Sequence, residues 1–182
     1  MLRSRLNRPW GFGQLVNSFR NINRRGSAEY VDGHQAHHVV PLECANIPLI
    51  ARLLEGAAAF GFHLNIFRLN GILLPSNESA AKETGRPLHL GSHPRYSRFV
   101  INEMMQIADR TSDLSGSIRP IQSHLQITAL VSTLYHALLA NPIHGTIQTL
   151  DEIPLHGLTD QEFAQMVDQS IRKNSLVPLV HR

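Results

Sequence analysis

Cys44 is the only cysteine in the 182-residue chain, so no intrachain disulfide can staple the fold, and no zinc site needing two or more thiolates can be built. Such a chain must be held by a hydrophobic core, and any soft metal ligands must come from its eleven histidines. The core is feasible. A 42% hydrophobic share with 17% charged residues is ordinary globular composition, which excludes wholesale disorder, collagen-like repeats and coiled coil as the main architecture. The longest apolar stretches, 47–54 and 126–140, carry polar or charged breaks and fall short of the roughly 18 residues a membrane helix needs. The length suits one domain, or one domain with an appendage.

Charge is unevenly placed. Residues 1–100 hold twelve Lys or Arg against six acids, and residues 101–182 hold five against eight. Fifteen of the 17 cations are Arg, and Arg3, Arg5, Arg8, Arg20, Arg24 and Arg25 all precede the first acid, Glu29. Guanidinium favours bidentate phosphate contact, so residues 1–28 form an Arg-rich arm suited to a nucleic-acid backbone, with Arg24 and Arg25 as candidate contacts. Two other readings stay open: a solvated tail or linker, and an organelle transit peptide. No classical secretory signal is present.

Along the chain, 36–42 reads as a short strand ending near Pro41. Asn46 is expected to cap a helix with the apolar stripe Ile50, Leu53, Leu54, Ala57 and Ala58, and Gly61 to stop it. Asn70-Gly71 reads as a turn before a second strand, 72–74, closed by Pro75-Ser76-Asn77. Residues 76–88 read as a polar loop, and 94–108 as a helix opened by Pro94. Beyond Thr111 the pattern is helical support or an interaction surface: 121–139 is a buried helix, and Thr159 with Glu162 forms a capping box ahead of Phe163, Met166, Val167 and Ile171.

Two tight histidine groups carry the chemistry. His37-His38 lies on the first strand, where neighbouring side chains point to opposite faces, so joint service to one phosphate requires a twist or bulge near Pro41. His89 and His93, at i and i+4, would share a helix face and grip one ion, although Pro94 disrupts a helix running through it. A zinc-peptidase motif is excluded, because Leu90 stands where that motif needs Glu. Gly11-Phe12-Gly13 lacks a preceding strand and the third glycine of a dinucleotide loop. Neither a phosphate loop nor a nucleophile elbow occurs.

The order of three motifs is more specific than any one of them: Ala36-His37-His38-Val39-Val40-Pro41, then Asn70-Gly71-Ile72-Leu73-Leu74-Pro75, then His89-Leu90-Gly91-Ser92-His93-Pro94-Arg95-Tyr96. This arrangement resembles the HNH nuclease superfamily, and more closely its AHH family of bacterial toxin nucleases, over about residues 28–110. The resemblance implies an α+β fold with a small ββα-metal core at 29–110, mostly helical surroundings and a helical C-terminal extension at 111–182. That extension of some 70 residues is not explained by the likeness.

The resemblance further implies that His37, His89 and His93 hold a divalent ion and that His38 activates water. Phosphodiester hydrolysis needs an in-line nucleophile and a positive centre for the charge developing on the leaving oxygen, which one metal and one imidazole together supply. Asn70 would hold the loop and orient the base; its simpler reading is a turn former. Arg95, with Arg98, would contact phosphate, the alternative being a solvated charge. Tyr96 reads as packing and Cys44 as a small buried hydrophobe. Mg2+ is the first expectation for the ion; three imidazoles also suit Zn2+ or Mn2+. The implied function is a metal-dependent endonuclease acting on DNA with little sequence preference. It would be a delivered or secreted bacterial toxin acting in the target-cell cytoplasm and neutralised by a cognate immunity protein. The competing functions are a nucleic-acid binder with a structural metal site and no turnover, and a helical interaction protein.

Overall fold

Two short strands carry the first two motifs side by side. β1, His34–His38, pairs antiparallel with β2, Gly71–Pro75, so that His37 stands opposite Ile72 and His38 opposite Gly71. The computed structural model describes residues 18–140, and everything below refers to these. Between the strands the chain makes a short 3-10 turn, Leu42–Asn46, then α1, Pro48–Ala58, and a single helical turn, α2, Phe67–Asn70. After β2 come α3, Glu78–Thr84, a loop, α4, Pro94–Arg110, and α5, Ile118–Ala140. The fold is α+β, with β1, β2 and α4 forming a ββα unit inside a helical shell.

Helix α1 buries Ile50, Leu53 and Ala57 of the expected stripe. Its start differs from the expectation: Asn46 closes the 3-10 turn, Ile47 occupies the N-cap position without a side-chain cap, and Pro48 opens the helix. Proline needs no cap for the amide it lacks, and its fixed φ is already helical. Past the helix end, Gly61 adopts φ +93° and the Phe62 amide returns to the Ala57 carbonyl at 3.2 Å, reversing the chain as a glycine stop should.

Two local expectations are corrected. Asn70-Gly71 is no hairpin turn: Asn70 ends α2 and is wholly buried, and Gly71 opens β2 at φ −124°, which any residue can adopt. Glycine is needed there because a Cβ would collide with the Phe67 ring. Residues 76–88 are not all loop, since α3 lies within them. The Asn77 side chain caps it by accepting from the Ala80 amide at 2.9 Å, Glu78 sits in its first turn, and Gly85 at φ +65° closes it.

One apolar cluster joins the sheet to the helices. Val39, Val40, Ile72 and Leu74 meet Val100, Met104 and Ile107 of α4 and Ile50 and Leu53 of α1. Ile127, Leu130, Leu134 and Leu138 of α5 enter the same cluster, so this core includes residues beyond 110. At the other end, the described part of the Arg-rich arm is tied down by Asn23. Its side chain donates to the Val31 and His34 carbonyls at 2.9 and 2.6 Å and accepts from the Val31 amide at 2.6 Å. No helix among the described residues is long and apolar enough to cross a membrane. The capping box at Thr159 and Glu162 lies outside the described residues, as do Arg3, Arg5 and Arg8.

Candidate metal centre

His37, His89 and His93 converge. His37 Nδ1 stands 3.1 Å from His89 Nε2, which stands 3.3 Å from His93 Nε2, and the ligand atoms of all three lie within 4.8 Å of one another. His37 comes from β1 and is 3% exposed. His89 and His93 do not share a helix face: His89 lies in the loop before α4, and His93 is the N-cap residue of α4. Pro94 opens that helix instead of interrupting it, which leaves the 89–93 loop free to fold both rings toward β1. The His89 amide donates to the Pro75 carbonyl at 2.8 Å, and Gln35 of β1 donates to the His89 carbonyl at 2.7 Å. The ligand loop is thereby sewn to both strands.

Hydrogen bonding alone is a poor account of this cluster. The His89 Nε2 atom has either one proton or one lone pair, so it can satisfy only one of its two close neighbours. A cation satisfies all three at once: imidazole nitrogens about 2.0–2.1 Å from one ion at tetrahedral angles stand about 3.4 Å apart. Two of the three pairs match that spacing at 3.1 and 3.3 Å, and the third, which lies within 4.8 Å, would draw together around an ion. Electrostatics agree. Burial, then the neighbouring His89, His93 and His38 rings, lower the His37 pKa to about 2, and burial with His93 lowers His89 to about 4. These imidazoles are neutral at physiological pH, the form that ligates metal. The outer nitrogens of the three rings, His37 Nε2, His89 Nδ1 and His93 Nδ1, are buried without a hydrogen-bond partner.

His38 stands apart from the triad but opens into the same cleft. That cleft of about 770 Å³ is lined by His37, His38, His89, His93, Glu43 and Arg98, among others. No bulge at Pro41 is needed, because β1 ends at His38 and the chain leaves the sheet there. The Phe19 ring stacks on His38, with centroids 3.4 Å apart and planes 10° from parallel, and itself meets Phe67 edge-on at 5.3 Å. Phe67 takes the space that the absent Gly71 side chain leaves. Burial lowers the His38 pKa, and a hydrogen bond with Asn65 partly offsets it. Its Nε2 has no hydrogen-bond partner, so one ring nitrogen remains uncommitted.

Asn70 is not among the residues that line the cleft. Its Oδ1 accepts from the Val40 amide at 2.7 Å, and its Nδ2 donates to the Val40 and Leu64 carbonyls at 2.9 and 3.0 Å. It is a positioning residue for the chain that follows the paired histidines. Of the arginines singled out in the sequence, Arg98 lines the cleft, while Arg95 is exposed on the first turn of α4 and does not line it. Arg24 and Arg25 are exposed on the turn after Asn23, also away from the cleft lining. Phe19, Gln35 and Asn65 were not marked by any motif. Their roles come from contacts 54 or fewer residues away in sequence, which no local spacing reveals.

A strand pair and a helix thus gather three imidazoles that could hold a metal ion, beside a fourth that lines the same cleft. The chain matches the model of the AHH family, a nuclease family of the HNH/ENDO VII superfamily with conserved AHH, over residues 18–125. It belongs to that family, with Ala36, His37 and His38 as the triplet, and is a nuclease by that membership. The match extends past the 28–110 span expected from the motifs and reaches into α5. No curated protein and no solved structure matches the chain significantly.

Proposed function

We propose that the protein is a divalent-metal-dependent endonuclease that hydrolyses phosphodiester bonds of DNA with little sequence preference. The convergence of His37, His89 and His93 on one point, beside the uncommitted His38, carries this reading. A divalent ion held by the three would supply a positive centre for the phosphate and its leaving oxygen. His38, kept neutral by its lowered pKa, accepts the proton of the attacking water at a ring nitrogen. Phe19 and Asn65 fix the plane of that ring, and Arg98 presents a guanidinium to the phosphate across the cleft. Arg24, Arg25 and Arg95, all exposed, would meet more distant phosphates, which carry no sequence information. Three imidazoles suit Zn2+, whereas Mg2+ and Mn2+ would complete their shells mainly with water and phosphate oxygens.

The motif likeness supports a biological role as a bacterial toxin delivered into the cytoplasm of a target cell and held harmless in its producer by a cognate immunity protein. Supercoiled plasmid and labelled RNA, incubated with each metal and with chelator, test the activity. Nicking of plasmid that chelator abolishes is the expected result. Intact plasmid beside cut RNA would reassign the substrate, and retention of both without strand breaks would favour the binding module instead.

A further inference from the structure

The two residues after His38, Val39 and Val40, are wholly buried, and every one of their backbone polar groups is paired. The Val39 amide donates to the Asn70 carbonyl at 2.8 Å, and both polar groups of Val40 bond the Asn70 side chain. The remaining group, the Val39 carbonyl, accepts from the Tyr96 hydroxyl at 2.6 Å. Two side chains from later in the sequence therefore hold the segment that leaves the paired histidines. The two differ in what else they touch. Asn70 bonds only backbone, whereas the Tyr96 ring lies edge-on to His37 at 5.4 Å and to His93 at 5.6 Å.

We propose that Tyr96 is a positioning residue of the metal centre, its hydroxyl anchoring the end of β1 while its ring packs edge-on against both His37 and His93. This inference rests on the nuclease reading for its effect on turnover but not for its effect on metal binding. Tyr96 sits on the first turn of α4, three residues after His93, so one residue spans the strand ligand and the helix ligand. No other side chain among the described residues has a ring contact with both His37 and His93 apart from their fellow ligand His89. Removing it would leave the Val39 carbonyl buried and unpaired, and the strand end would shift to relieve that cost. Partners that orient metal ligands in this indirect way typically change affinity or activity by about 10- to 100-fold.

The test is a Co2+ titration of Tyr96→Phe, read by the visible absorption of the bound ion, with plasmid turnover measured in parallel. Thr111→Val is the control, since it removes another buried hydroxyl of α4's end that bonds only helix carbonyls. Tyr96→Phe is expected to bind Co2+ about tenfold more weakly with an altered absorption band, and to lose turnover about tenfold with KM for plasmid unchanged. Thr111→Val should keep wild-type affinity and band. Placing 4-aminophenylalanine at position 96 restores a donor at the Val39 carbonyl and should recover part of the affinity. If Tyr96→Phe binds Co2+ with the wild-type constant and band, or if its loss equals that of Thr111→Val, the proposal is overturned. Should the wild-type protein cut neither DNA nor RNA, the nuclease reading fails, while the Co2+ comparison still decides the role of Tyr96.

Discussion

The two sides of the chain at residues 37–40 are built on opposite principles. On the histidine side, one nitrogen each of His37, His38, His89 and His93, for the triad the one turned away from the shared point, is buried with no hydrogen-bond partner. On the core side, Val39 and Val40 have none of their backbone groups left unpaired. Unmet polar groups cost stability, so a fold tolerates them only where something else over-determines the geometry. The rings therefore owe their placement to the fully paired segment beneath them and not to bonds of their outer nitrogens. A wall and its foundation should then respond differently to substitution.

The largest expected effect lies on the wall. His38→Ala should lower the rate of plasmid cleavage by about a hundredfold to ten-thousandfold, equivalent to about 3–5 kcal/mol of barrier, with metal content and melting temperature close to wild type. Loss of bound metal alongside activity would move His38 into the ligand set. Next comes the foundation. Asn70→Ala removes three side-chain hydrogen bonds and leaves buried groups unpaired, so urea unfolding should show a loss of about 2–4 kcal/mol, with activity falling in step. A fully stable but inactive Asn70→Ala protein would mean that Asn70 acts on substrate after all, and the contrast between the two sides would collapse.

A smaller effect follows from protonation. His37 and His89 have folded-state pKa values below that of an unfolded histidine, about 6.5. Between those values the unfolded chain binds protons that the folded one refuses. Their contribution is therefore present above about pH 6.5 and is lost as the pH falls toward about 4 for His89 and about 2 for His37. The urea midpoint of chelator-treated protein should drop from pH 7 to pH 5, and bound metal should steepen the drop, because protons then compete with the ion. An unchanged midpoint would show that the wall is more solvated than its burial indicates. The smallest effect is a labelling rate. Cys44 lies in the turn just beyond the foundation, wholly buried, and burial pushes its thiol up to about 12. A thiol reagent should leave native Cys44 unmodified for hours and react faster in Asn70→Ala, which would report local opening of that segment.

Much of the site was legible in the sequence because its chemistry sits in short, ordered motifs. The four histidines are named by Ala36-His37-His38 and by the His89 to His93 spacing, and the structure brings all four to one cleft. What the spacing misread was the scaffold around them. An i,i+4 pair suggested a helix face, yet a loop sewn to Pro75 and Gln35 presents His89, and a helix N-cap presents His93. Helix α3 was hidden by its polarity, although Asn77, Glu78 and Gly85 were present as its start and stop. Asn70 and Gly71 looked like a turn because turns favour those residues; here one is a buried clamp and the other makes room for Phe67. Arg95 and Arg98 were both marked by their place in and after the third motif, and the pitch of α4 brings Arg98 of the two into the cleft lining.

By itself the sequence determined that a disulfide-free, histidine-supplied centre on two strands and a helix was the chemistry on offer, because residue type and local period set ligand identity and element type. Only the tertiary structure decided which nitrogens face one another, that Phe19 and Asn65 frame His38, and that Tyr96 reaches Val39. Apart from His89 with His93, those relations join residues 19 to 57 positions apart, and packing of the shared core, not any local preference, brings them within bonding distance.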